Sequence, residues 1–143
     1  MKNVWTVVCK KSIIDCDTNS LSLFEVLDQI QITYKDHIET AKLKFLPIKF
    51  HVVSLWFDEK IKKDRKFDLV VGVADPAGKV LKEFKQECTI PAGNRRLRAT
   101  TKIQGFGFTD GGKYLITLKY RENKMSYKMA SEIPIDVSLT KMV

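Results

Sequence analysis

The sequence predicts an all-β protein, and three observations carry that prediction. Apolar residues recur at every second position along most of the chain, turn-forming residues interrupt the runs at short intervals, and no long stretch carries the apolar stripe of a helix. Many short strands with such punctuation pack as two layers, so the expected architecture is an antiparallel β-sandwich of about seven to nine strands, with at most a short helical turn in the loops. At 143 residues, 44% of them hydrophobic, the chain is long enough to bury a core without disulfide or metal staples. One domain, residues 1–143, is expected.

Residues 4–10 alternate, with Trp5, Val7 and Cys9 on one face and Val4, Thr6 and Val8 on the other; both faces are apolar. Asp15-Cys16-Asp17-Thr18-Asn19-Ser20 is dense in side chains that bond their own backbone, which predicts a turn. Residues 21–32 resume as one or two strands with a break near Asp28, and residues 33–44 lose the pattern and read as a loop. After Pro47, residues 48–57 place β-branched and aromatic side chains on both faces, as a central strand does. Residues 58–66 form a charged hairpin tip, and Phe67, Leu69, Val71 and Val73 mark the returning strand.

Asp75-Pro76-Ala77-Gly78 predicts a tight reversal, since Pro presets φ and Gly supplies the left-handed position. A strand over about residues 79–89 follows and ends at Pro91-Ala92-Gly93-Asn94. Leu97, Ala99, Thr101 and Ile103 then face one way, and Arg96, Arg98, Thr100, Lys102 and Gln104 the other, which predicts one buried and one wet face. The apolar parity switches at Gly105, because Phe106 and Phe108 continue on even positions, and a glycine bulge would do that. Asp110-Gly111-Gly112 turns the chain into Tyr114, Ile116, Leu118 and Tyr120; Glu122-Asn123-Lys124 turns it into a last strand over about residues 125–137, where Pro134 points to an edge or a bulge.

The pattern Asp110-x-Gly112-x-Tyr114-x-Ile116 resembles the tyrosine corner of immunoglobulin-type domains. That resemblance implies an immunoglobulin-like sandwich in which Tyr114 bonds back to upstream backbone. Ile116 stands at the family's cysteine position and Val71 where a tryptophan is expected, so the inter-sheet disulfide is missing. Over most of the chain, Trp5-Thr6-Val7-Val8-Cys9, Ile14-Asp15, Thr18-Asn19-x-Leu21-Ser22-Leu23-Phe24, Val53-Ser54-Leu55-Trp56, Asp75-Pro76-x-Gly78 and Gly112-x-Tyr114 are similar to a family of small bacterial proteins of unknown function. The similarity implies a cytosolic β-sandwich and transfers no functional residue.

Cys9, Cys16 and Cys88 are odd in number and lack Cys-x-x-Cys spacing, so they read as free thiols, with Cys9 buried. The opening residues carry no apolar run with a cleavage site, and no apolar stretch is long enough to span a bilayer; a cytoplasmic location is expected. The net charge of +8 favours anionic partners.

Candidate chemistry is sparse. Asp15-x-Asp17-x-Asn19 resembles the start of a calcium loop, but Ser20 and Val26 occupy the positions that need Gly and Glu, so a turn is the better reading. Gly105-x-Gly107-x-x-x-Gly111 has the wrong spacing and context for a phosphate loop. His37 and His51 have no second ligand or nucleophile at a motif spacing. No catalytic residue, metal ligand or cofactor is therefore assigned. Two basic groups stand out: Arg95 with Arg96, Arg98 and Lys102, and Lys60, Lys62, Lys63, Arg65 and Lys66 at the hairpin tip. The leading expectation is a non-enzymatic interaction domain that binds another macromolecule, a protein first, through a sheet edge, an outer face or the end loops. The alternative is polyanion or nucleic-acid binding through Arg96, Arg98 and Lys102. The third is an enzyme with a composite pocket of carboxylates or His51. Oligomeric state stays open.

Overall fold

Nine strands account for most of the described residues. The computed structural model describes residues 1–39, 42–59 and 62–142, and no helix occurs among them. The strands are β1 (Lys2–Ile14), β2 (Leu21–Val26), β3 (Gln29–Tyr34), β4 (Lys44–Phe57), β5 (Arg65–Ala74), β6 (Val80–Ile90), β7 (Arg96–Phe108), β8 (Gly112–Arg121) and β9 (Lys128–Lys141). They form a four-stranded sheet, β2-β1-β4-β7, and a five-stranded sheet, β3-β9-β8-β5-β6. The arrangement is compatible with a sandwich. Lys60, counted with the basic hairpin tip, lies outside the described residues; Arg65 and Lys66 belong to β5 and not to the tip.

One pairing corrects the antiparallel expectation, because β3 runs parallel to β9, from Gln29 opposite Asp136 to Tyr34 opposite Lys141. Only Leu27 and Asp28 separate β2 from β3, yet the two strands lie in different sheets. The chain changes sheet without a hairpin reversal and meets β9 running in the same direction. Leu27 N–H donates to the Val8 carbonyl and Asp136 N–H to the Asp28 carbonyl, so the crossover is bonded to both sheets.

Between the sheets lies one apolar cluster in which Phe50, Trp56, Leu69, Ile103, Phe106, Tyr114 and Ile116 are fully buried. Each such side chain contributes about 1.5–3 kcal/mol by leaving water. The Trp56 ring packs at 5.0 Å from Phe67 and 5.1 Å from Tyr120, and its indole N–H donates to the buried Ser54 hydroxyl at 2.9 Å.

The parity switch in β7 is real. Ile103 and then Phe106 and Phe108 are buried, Gly105 adopts φ +89°, and the pairing of β4 with β7 shifts between Leu46 and Lys49. The extra residue sits on β4, where Pro47 could not donate to a ladder in any case. Pro134 pairs through its neighbours with β8 on one side, while β3 covers β9 only from Asp136 onward. The proline therefore lies where β9 is still an edge.

At the start of β8, the Tyr114 hydroxyl donates to the Asp110 carbonyl at 2.6 Å and accepts from the Thr109 N–H at 2.9 Å. The opposite end is tied by ions. Arg65 grips Glu122 with two nitrogens at 2.9 and 3.1 Å and also contacts Asp58, which joins the β4–β5 connection to the β8–β9 turn.

Candidate functional site

Three cross-strand rows define the outer face of the four-stranded sheet. Trp5, Leu55 and Arg98 form the first, Val7, Val53 and Thr100 the second, and Cys9, His51 and Lys102 the third. An outer face open to water would leave all nine exposed. Instead Val53 and Cys9 are completely buried, and Thr100 and Arg98 are half-buried. The far half of the β1–β2 hairpin supplies the cover, bending back over the sheet from which it springs.

The geometry of that cover follows from its sequence. Asp15 holds the tip, its carboxylate accepting from the Asp17 and Thr18 N–H groups at 2.8 and 3.0 Å. Those bonds favour the charged form and push the Asp15 carboxyl below its usual range. Asn19 takes the left-handed conformation, φ 57°, and its N–H donates to the Asp15 carbonyl. Among the described residues no group of three acidic, histidine or cysteine side chains is placed to hold a metal. At the tip, Arg98 Nη1 donates to the Asn19 carbonyl at 2.8 Å, while further back the Ser12 hydroxyl meets His51 Nδ1 at 2.8 Å.

Between the hairpin and the start of β7 this leaves an open cleft of about 860 Å³. Ile14, Leu21 and Leu23 line it from the hairpin, Trp5 and Leu55 from the sheet, and Arg96 and Arg98 from β7. Arg96 lies over the Phe57 ring at 5.9 Å, which holds the guanidinium at the cleft rim. Arg65 and Arg121 are committed to carboxylates, whereas Arg96 and Arg98 make no ion pair among the described residues. No described carboxylate lines the cleft.

The three cations expected to act together all project from one face of β7, but the cleft takes only Arg96 and Arg98. Lys102 lies about 13 Å along the strand from Arg98, at roughly 3.3 Å per residue, directly opposite His51. No aromatic side chain is interleaved with these cations along β7 itself. Trp5 enters the cleft from β1, two strands away, and Phe57 lies under Arg96. The legible signal was the apolar second face of β1 and β4, which needs a cover.

His51 sits in a setting that disfavours its charged form. Burial, and then the nearby Lys102 ammonium, push its pKa down. A serine nucleophile needs a histidine that gains a proton and is steadied by a carboxylate. Lys102 does the reverse, so the Ser12–His51 contact reads as a clasp between hairpin and sheet. Burial raises the thiol pKa of Cys9 and Cys88, which makes both sulfurs poor nucleophiles.

Compared with known proteins, the chain matches no protein-family model and no curated sequence.

Proposed function

We propose that this protein is a non-enzymatic interaction domain that binds another protein through the cleft between the β1–β2 hairpin and β7. The carrying observation is the cleft's composition: an aliphatic and tryptophan floor beside Arg96 and Arg98, with no described carboxylate to neutralise them. Exposed apolar area beside unpaired arginines is the usual makeup of a protein interface core and its rim. Nucleic acid would demand a track of phosphate contacts, and Lys102 lies outside the cleft.

An immunoglobulin-like topology is part of this reading, supported by the bond from the Tyr114 hydroxyl to the Asp110 carbonyl. A cytoplasmic location is supported by three free cysteines, two of them buried. The test uses the full chain and its Arg96→Glu variant, immobilised and exposed to cell extract with and without nuclease. A discrete protein held by the native chain after nuclease and lost from the variant is expected. Equal retention by both, or retention that vanishes with nuclease, would overturn the reading.

A further inference from the structure

Resting on that reading, we infer that the cleft's ligand is an extended acidic segment of a partner protein, in which a carboxylate side chain alternates with an aliphatic one. The cleft's two walls dictate this chemistry. Arg96 and Arg98 are two positions apart on β7 and therefore project to the same side, about 7 Å apart at twice the rise of roughly 3.3 Å per residue. An extended chain carries its own side chains at that same repeat. Two carboxylates at alternate positions of such a segment can each meet one guanidinium.

The remaining donors are available. Arg98 spends Nη1 on the Asn19 carbonyl, which tethers its guanidinium at the cleft and leaves the other nitrogens without a hydrogen bond among the described residues. Among the described residues, Arg96 is held through its ring face contact with Phe57. Pre-set guanidinium groups lose less entropy on meeting a carboxylate, which favours bidentate recognition.

The opposite face of the same extended segment meets the apolar wall. Ile14 is 52% exposed although it lines the cleft together with Leu55 and Trp5, so its side chain is one that a ligand would take out of water. Alternation of acid and aliphatic side chains satisfies both walls at once; a run of acid alone would satisfy one. The net charge of +8 adds long-range attraction for such a segment and speeds its encounter.

Titration of the full chain followed by backbone amide NMR tests this with defined probes. Four are used: a blocked octapeptide alternating Asp and Leu, one alternating Asp and Ser, one alternating Lys and Leu, and a single-stranded oligothymidine. Shifts at Trp5, Ile14, Leu23 and Arg98 with the Asp–Leu peptide are expected, with about tenfold weaker binding by Arg96→Glu and by the Asp–Ser peptide. Equal binding of the Lys–Leu peptide would reduce the cleft to a greasy surface and overturn the inference. Oligothymidine shifting the same residues as strongly would assign the cleft to polyanions and overturn it as well. Concentration-dependent shifts of these residues with no peptide present would make the occupant a second copy of the chain, which also overturns it. Failure of all peptides, alongside a partner that Arg96→Glu still loses from extract, would reject this ligand class while leaving the protein-binding reading intact.

Discussion

Arg98 of β7 donates a hydrogen bond of 2.8 Å to the backbone carbonyl of Asn19, seventy-nine residues earlier in the chain. This contact closes the hairpin tip over the sheet and forms one end of the cleft. Arg98→Ala should therefore loosen the tip locally while lowering global stability by only about 1 kcal/mol. Hydrogen exchange is the direct measurement. Amides of residues 16–20 and of Val53 should exchange faster in the variant, with those of β5 and β8 unchanged.

Tyr114 anchors the turn that precedes β8, and its hydroxyl serves both the Asp110 carbonyl and the Thr109 N–H. Tyr114→Phe keeps the buried ring and removes both bonds. A loss of about 1–2 kcal/mol is expected in urea unfolding, with the slope of the transition unchanged.

Much of this fold was legible because period-two patterning is local. The strand at residues 97–103, the turn at Asp75–Gly78 and the tyrosine pattern at 110–116 all announce themselves within a few residues. The pairing of β3 with β9 was not legible, since its partners are more than a hundred residues apart and nothing in either strand encodes direction. For the site, Arg96 and Arg98 were visible as cations on one strand face. Their apolar neighbours were not, because Trp5, Ile14 and Leu55 reach the cleft only when β1 and β2 bend back across β4. The apolar outer positions of β1 and β4 showed that a cover was needed without showing that the same chain provides it.

Gly72 of β5 has no room for a Cβ while Thr117 keeps its present side-chain rotamer. A Cβ at this position would lie 2.6 Å from Thr117 Oγ1 on the adjacent strand β8. Gly72→Ala should cost about 1–3 kcal/mol through that clash. Thr117→Ala removes the opposing oxygen, so the double variant should regain most of the loss. Denaturation of the four proteins in a thermodynamic cycle measures the coupling.

His51 makes stability depend on pH in a definite direction. Burial, then the Lys102 charge, lower its pKa in the folded protein below the ordinary value of 6.5. The unfolded chain therefore takes up this proton first as the pH falls, and the protonated form favours unfolding. The stabilising contribution is full above about pH 6.5 and is lost below it, until the folded group is protonated too. Urea midpoints between about pH 8 and pH 5 should fall less steeply in His51→Asn than in the native protein. Lys102→Gln should also flatten the slope by removing the repelling charge.

Everything proposed for the cleft requires the β1–β2 hairpin to lie across the outer face of the four-stranded sheet. The most direct measurement is the set of proton NOEs from the Trp5 indole and the Leu55 methyls in a methyl-labelled sample. Cross-peaks to the methyls of Ile14 and Leu23, with a slowly exchanging Val53 amide, are predicted. A hairpin whose Ile14 and Leu23 methyls show contacts only to one another, above a Val53 exposed to water, would contradict that placement.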